Sequence, residues 1–458
     1  MIRIPKQRIV IFLGLIAAFL LFDAAPAPAA IQGITGASPN PVFNLTAKTG
    51  FISADDGNHI FVWGFADGDG AHNRGRTQYP GPTLIVNQND NVTINLTNQL
   101  TVPISIIFPG QEGVNAQMVT GTGNLGLLTL EANPGETVRY IFQASEPGTY
   151  TYYSGTRSEL QVEMGLFGAL IVRPAMGANF AYNHADSAFD REYLFVLSEI
   201  DHRFHQLVRF GKTNQIDNTA FFPVYWFING RAGFDTATRD FYPFLPSQPY
   251  GSFARMHPLE RILVRMIGGG RDLHPFHLHG NHHRTIARDG RLLKGPTDQD
   301  LSFLAFTTAV GPGQTFDAIF TWTGENIGWD VYGHMDVDNP PTGNFPGPED
   351  VDVNGNGFFD CADPTPAEAA VEFGGDHCKP FPVAIPDQKD LTFGPFWSGS
   401  PFLGASGALP PGEGGFNPTS GFLFMWHSHS EKELTSNNIF PGGMLTFGIV
   451  EHPSVPIP

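Results

Sequence analysis

His274-Pro-Phe-His-Leu-His-Gly-Asn-His-His283, answered about 150 residues later by His427-Ser-His429, is the stretch that decides how this chain folds. On an extended strand, residues i and i+2 face the same way, roughly 6–7 Å apart. His277 and His279 can therefore share one face, and so can His427 and His429. If the two strands pair in one sheet or barrel, four imidazoles converge, and imidazole suits copper, zinc, iron or nickel. Seven of the sixteen histidines fall in these two runs. A lone His is ordinarily a satisfied core or surface residue. Two His-x-His pairs in apolar surroundings point instead to a metal.

The rest of the chain has the same strand grammar. Gly (53), Pro (38) and Phe (40) are abundant, and long helical periodicities are scarce. Short alternating runs such as Asn91-Val-Thr-Ile-Asn-Leu-Thr97 and Arg261-Ile-Leu-Val-Arg-Met266 recur between turn signals, which predicts an all-β sandwich or barrel. The length of 458 residues allows two or three domains. We place the first at about 40–176, a linker at Gly177–Arg191, and the second at about 190–452. The second begins with Glu192-Tyr-Leu-Phe-Val-Leu197 and uses strands at Leu259–Met266 and Thr315–Thr321. An insertion at about 335–420, rich in Pro and Gly, displaces its last histidine strand and reads as a loop-dominated excursion.

Residues 1–30 read as a secretory signal peptide: Arg3, Lys6 and Arg8, then the apolar run Ile9 to Phe22, then Ala-Pro-Ala repeats. A secreted, periplasmic or cell-surface location is the expectation. The net charge of −18 disfavours nucleic acid and anionic membranes as partners and suits attraction of cations. No later stretch approaches a membrane span. Cys361 and Cys378, the two cysteines, suit one local disulfide across a loop and lie far from the histidine runs.

The histidine segments closely resemble the multicopper oxidase family. His274 to Gly280 followed by Ala287-Arg-Asp-Gly290 is similar to that family's third copper motif. Phe424-Met-Trp-His-Ser-His429, then Gly442-Gly-Met-Leu-Thr-Phe-Gly-Ile-Val-Glu451, is similar to its fourth motif and closing strand. Pro80-Gly-Pro-Thr-Leu-Ile-Val to Ile94 looks like its opening strands. Gly148-Thr-Tyr-Thr-Tyr-Tyr-Ser-Gly155 with Gly165-Leu-Phe-Gly-Ala-Leu-Ile-Val172 looks like the end of its first domain. The resemblance implies two cupredoxin-like (plastocyanin-like) Greek-key β-sandwiches, and copper at His274, His277, His279, His427 and His429, with Met444 as an axial candidate.

The departures shape the functional expectation. The family's two first-domain His-x-His pairs should fall near Ser105-Ile-Ile-Phe-Pro-Gly110 and at Tyr153-Ser-Gly155, which hold no histidine. The type 1 cysteine between the last two histidines is Ser428, and the second type 1 histidine is Glu433. Half of the cluster ligands survive and the electron-entry site does not. The expectation is a copper-dependent oxidoreductase with a reduced, mono- or dinuclear histidine site, acting on a small molecule or metal ion. The alternative is a non-catalytic copper- or zinc-binding protein or surface-assembly module. A homo-oligomer is compatible with either.

Within the insertion, Asp352-Val-Asn-Gly-Asn-Gly-Phe-Phe-Asp-Cys-Ala-Asp363 fits the calcium-loop pattern, with ligands at Asp352, Asn354, Asn356, Asp360, Asp363 and the Phe358 carbonyl. A structural calcium is expected there. His282 and His283 follow the third motif and, as neighbours on a strand, offer at most one extra ligand. His334 is a further candidate. His202 and His205, on what looks like a strand end, are expected at the surface.

Overall fold

The computed structural model describes residues 31–257, 259–322, 422–450 and 456–457. The leader, His334, the calcium-loop motif at 352–363, Cys361 and Cys378 lie outside the described residues.

Alternation of apolar and polar residues builds the first sandwich. In the strand Asn91–Asn98, Val92, Ile94 and Leu96 are buried while the residues between them face out. That strand is central in a five-stranded sheet ordered His59–Asp67, Val42–Ser53, Asn91–Asn98, Thr137–Gln143, Asn115–Thr120. A four-stranded sheet, Ile34–Thr35, Leu84–Asn87, Phe167–Arg173, Gly148–Tyr153, covers its apolar face. Leu84, Val86, Leu170 and Val172 meet Phe43, Leu45, Ile94 and Tyr140 in one core. Such interdigitated inner faces are how two packed sheets exclude water.

The second sandwich repeats the plan. One sheet runs Tyr225–Ile228, Arg191–Ile200, Ile262–Gly268, Thr315–Phe320, His283–Arg288, Arg291–Leu292, with Phe303–Ala305 alongside His283–Arg288. The other runs Ala254–Met256, Leu445–Val450, Phe422–Ser428, His274–Leu278, Thr307–Val310. Their core joins Phe195, Leu197, Val264 and Phe316 to Phe276, Leu278, Trp426 and Met444.

The sandwiches pack against each other. Phe167, Ala169 and Ile171 on one side meet Leu194, Val196, Phe227 and Ile267 on the other. The strand Arg191–Ile200 is thus buried on both faces, Phe195 and Leu197 inward and Leu194 and Val196 toward the first sandwich. This accounts for the continuous apolar run from Tyr193 to Leu197. A buried polar seam lies in the same contact: Arg265 donates to Glu192 and Thr149, while Thr149 and Tyr182 both donate to Asp317. The stretch expected as a plain linker is also anchored, because Ala181, Tyr182 and Phe189 pack on Leu263 and Ile286. No helix among the described residues is long and apolar enough to cross a membrane.

Candidate metal centre

Phe276 and Leu278 commit one face of their strand to the core of the second sandwich, and Trp426 does the same for the neighbouring strand. Side chains alternate along a strand, so His277, His279, His427 and His429 are left on the opposite face. The antiparallel register sets His277 directly across from His427. The ladder continues at both ends, with His279 N–H donating to the Met425 carbonyl and His429 N–H to the Pro275 carbonyl. Directly opposed residues are the closest pairs in a sheet, and diagonal ones remain within reach of long side chains.

One nitrogen each of His277, His279 and His427 lies within 4.8 Å of the others. His277 is the hub, with ring centroids 5.8 Å from His279, 5.3 Å from His427 and 4.9 Å from His429. Two rings are held from behind. His277 Nδ1 is 2.9 Å from the Thr307 hydroxyl, and His427 Nδ1 donates to the Ser428 carbonyl at 2.7 Å. Fixing Nδ1 presents Nε2 as the ligand atom. Burial, then the neighbouring imidazoles His427 and His429, hold the His277 pKa down to about 4. His279 and His427 are lowered as well, chiefly by burial. The site therefore keeps neutral rings with lone pairs near pH 7, which is the form that binds metal.

His274, expected among the metal ligands, stands apart from the other four rings. Its ring is buried, with Nε2 2.8 Å from Glu199 Oε2 and Nδ1 2.8 Å from Glu433 Oε2. Both nitrogens donate to carboxylates, so neither has a lone pair to offer. Burial alone would lower its pKa, but the hydrogen bonds to Glu199 and Glu433 raise it to about 9. Met444, the axial candidate, is fully buried in the apolar core of the second sandwich. Ser428 is buried too, and its hydroxyl accepts from Ser430 N–H at 3.1 Å. Where the resemblance implies a type 1 copper, His274 lies between two carboxylates.

His283 is buried with Nε2 2.7 Å from the Thr308 hydroxyl, and burial followed by the neighbouring His282 and His277 pushes its pKa to about 4. His282 is exposed and stands edge-on to Phe306 at 5.5 Å, the ring that also faces His277 at 5.8 Å. His202 and His205 are on a helix, His202–Arg209, capped by Asp201, rather than on a strand end. His205 is buried, not at the surface: its Nδ1 bonds the Phe61 carbonyl of the first sandwich, and its Nε2 is 3.4 Å from Glu163. In the first sandwich, Ser105 pairs with Thr156 at 2.9 Å and Ser154 with Gln161 at 2.6 Å, so hydroxyls stand where the family's histidines would. Sequence reasoning missed Thr307 and Glu199. The available signal for Glu199 was a carboxylate inside a strand apolar on both faces, which requires a buried partner.

Residues 75–176 match a family model described as multicopper oxidase. L-ascorbate oxidase of Cucurbita pepo var. melopepo is 31% identical over 166 residues, 34% of this chain and 27% of that relative. Laccase abr2 of Aspergillus fumigatus is 35% identical over 131 residues, 29% of this chain and 19% of the relative. The matched stretches thus cover well under two thirds of either relative's length. Among solved structures, the blue copper oxidase from Nitrosomonas europaea aligns with a TM-score of 0.53 at 18% identity, over 91% of this chain and 89% of that one. The multicopper oxidase mgLAC gives 0.52 at 17% identity, over 92% and 88%. At such identities the likeness is one of fold, an all-β pair of cupredoxin-like sandwiches.

Proposed function

We propose, from the premise that this chain belongs to the multicopper oxidase family, that it is an exported copper-dependent oxidoreductase whose metal site is confined to the second sandwich. The observation that carries this reading is the convergence of His277, His279 and His427 from two paired strands. Neutral imidazoles with Nδ1 engaged fit a borderline cation such as copper. Copper held there would supply one-electron Cu(II)/Cu(I) chemistry. His277 and His427 fix the geometry, Thr307 and the Ser428 carbonyl keep their rings oriented, and the Phe306 edge shields one side of His277. Export rests on the basic, apolar and small-residue pattern of residues 1–30.

A second reading, non-catalytic copper or zinc binding, is favoured by the His274–Glu199–Glu433 arrangement, which leaves no thiolate relay for electrons. Metal analysis of purified protein, paired with dioxygen uptake in the presence of ascorbate, phenols, Cu(I) or Mn(II), separates the two. Stoichiometric copper with reductant-dependent uptake supports the oxidoreductase. Bound metal without uptake supports the second reading, and no bound metal overturns both.

A further inference from the structure

The first sandwich, which holds none of the converging histidines, has a cavity of its own. Its volume is about 690 Å³, within the usual range for a small-molecule site. Most of the wall is apolar: Trp63 and Leu160 are buried at its base, Val102 lines its side, and Leu127 and Leu128 stand exposed at its rim. Set into that wall is a half-buried carboxylate, Glu131. The hydrogen bonds around it run one way. Thr156 donates its hydroxyl proton to Glu131 Oε1 at 2.8 Å. With that proton committed, Ser105 is the donor in its 2.9 Å contact with Thr156. The Ser154 hydroxyl donates to Gln161 Oε1 at 2.6 Å, and Gln161 Nε2 to the Pro103 carbonyl at 2.9 Å. The one cation in the lining, Arg157, turns its Nε to Glu159 at 3.2 Å. Among the described residues no cation pairs with Glu131, and its second oxygen has no protein donor.

We propose that this cavity binds a small organic ammonium ion, a primary amine carried on an apolar body. The hydroxyls beside Glu131 have spent their protons inside the wall, so the ligand must bring the donor. An ammonium has N–H donors and no acceptor, which complements a carboxylate with lone pairs to spare. A carboxylate set among apolar side chains is costly until a cation pairs with it. The face of an indole attracts the same charge, and Trp63 belongs to the same wall. The apolar body covers Val102, Leu127 and Leu128, and the net charge of −18 draws cations toward the chain. An anionic ligand would meet Glu131 as a like charge. The site is separate from the metal centre, because none of its lining residues lies on the two histidine strands.

The test is isothermal titration calorimetry of the full chain with phenethylammonium, phenethyl alcohol and hydrocinnamate, three head groups on one body. The ammonium should bind about 10- to 100-fold more tightly than the alcohol, the worth of a hydrogen bond to a charged group. Hydrocinnamate should give no binding heat. Glu131→Gln keeps the oxygen that Thr156 uses, and should bring ammonium and alcohol to within about threefold of each other. Leu128→Ser, at the exposed rim, should weaken both by about fivefold and leave their ratio unchanged. Melting curves show whether each variant is folded. Equal affinity for ammonium and alcohol in the wild type, or no binding of either, overturns the proposal. A preference that survives in Glu131→Gln belongs to the net charge rather than to this carboxylate, and overturns it too. So does a rim variant that binds as the wild type does, since the ligand then sits elsewhere.

Discussion

His274 and His277 are three residues apart on one strand and are held in opposite charge states. His274 is enclosed by two carboxylates and titrates near 9, while His277 faces three other imidazoles and a hydroxyl and titrates near 4. Neither value follows from the residue type or the motif. The surroundings set both: hydrogen bonds to Glu199 and Glu433 outweigh burial to favour the cation at one ring, and burial, then His427 and His429, keep the other a neutral donor. One region is an internal ion pair that needs no metal. The other is a set of lone pairs that calls for one.

The comparison breaks most visibly if the two regions are not independent. Removing one partner of a buried charged set leaves the others uncompensated, at a cost of about 3–5 kcal/mol. Glu199→Gln and His274→Ala should each lose stability on that scale in denaturant unfolding while copper content stays unchanged. A parallel fall in copper would return His274 to the metal site. The same arrangement gives the protein an alkaline limit. Because the folded pKa of His274 is raised from 6.5 to about 9, its contribution is complete below pH 6.5 and fades as pH rises through 9. Unfolding midpoints measured from pH 6 to 10 should fall along that arm, and His274→Ala should flatten it.

The next effect belongs to the cluster. His277→Ala removes the hub and should weaken copper by about 100-fold, or about 2.7 kcal/mol, in chelator competition. His202→Ala, on a helix that packs on the strand His59–Asp67 of the first sandwich, should leave affinity unaltered. A smaller effect sharpens the role of the supporting hydroxyl. Thr307→Val should cost about tenfold in copper affinity, and Thr307→Ser should restore it. Full affinity in the valine variant would show that the His277 ring is placed by the sheet alone. The smallest expected effect is none. Ser428→Cys should not turn the copper-loaded protein intensely blue, since both nitrogens of His274 are already engaged and Glu433 stands where the second imidazole would be. An intense blue colour would falsify the clamp as a barrier to a thiolate–copper site.

What could be read in the sequence follows the same division. Period-two patterning around His277, His279, His427 and His429 was enough to place them on one face of paired strands, because alternation is a local property. The all-β class was legible for the same reason. The family model matches residues 75–176, a stretch that holds none of these histidines. The clamp was not legible. His274 meets Glu199 across 75 residues and Glu433 across 159, and no pattern in either segment announces the partner. His205 failed likewise, since a helix replaced the expected strand end and the first sandwich buried the ring. Motif resemblance placed His274 with the copper ligands, and its neighbours in the fold are Glu199 and Glu433.

His277 and His427 are cross-strand neighbours yet stand 150 positions apart in the chain. Contacts of such sequence separation close late, because the entropy of a long loop is lost before the pairing rewards it. During synthesis the 277–279 segment emerges long before its partner, and for that interval His277 and His279 offer two imidazoles and no site. Each pair alone is a poor trap for a metal ion. A metal held by these rings would thus be acquired after the last strand has docked, an order set by the topology: fold first, load second.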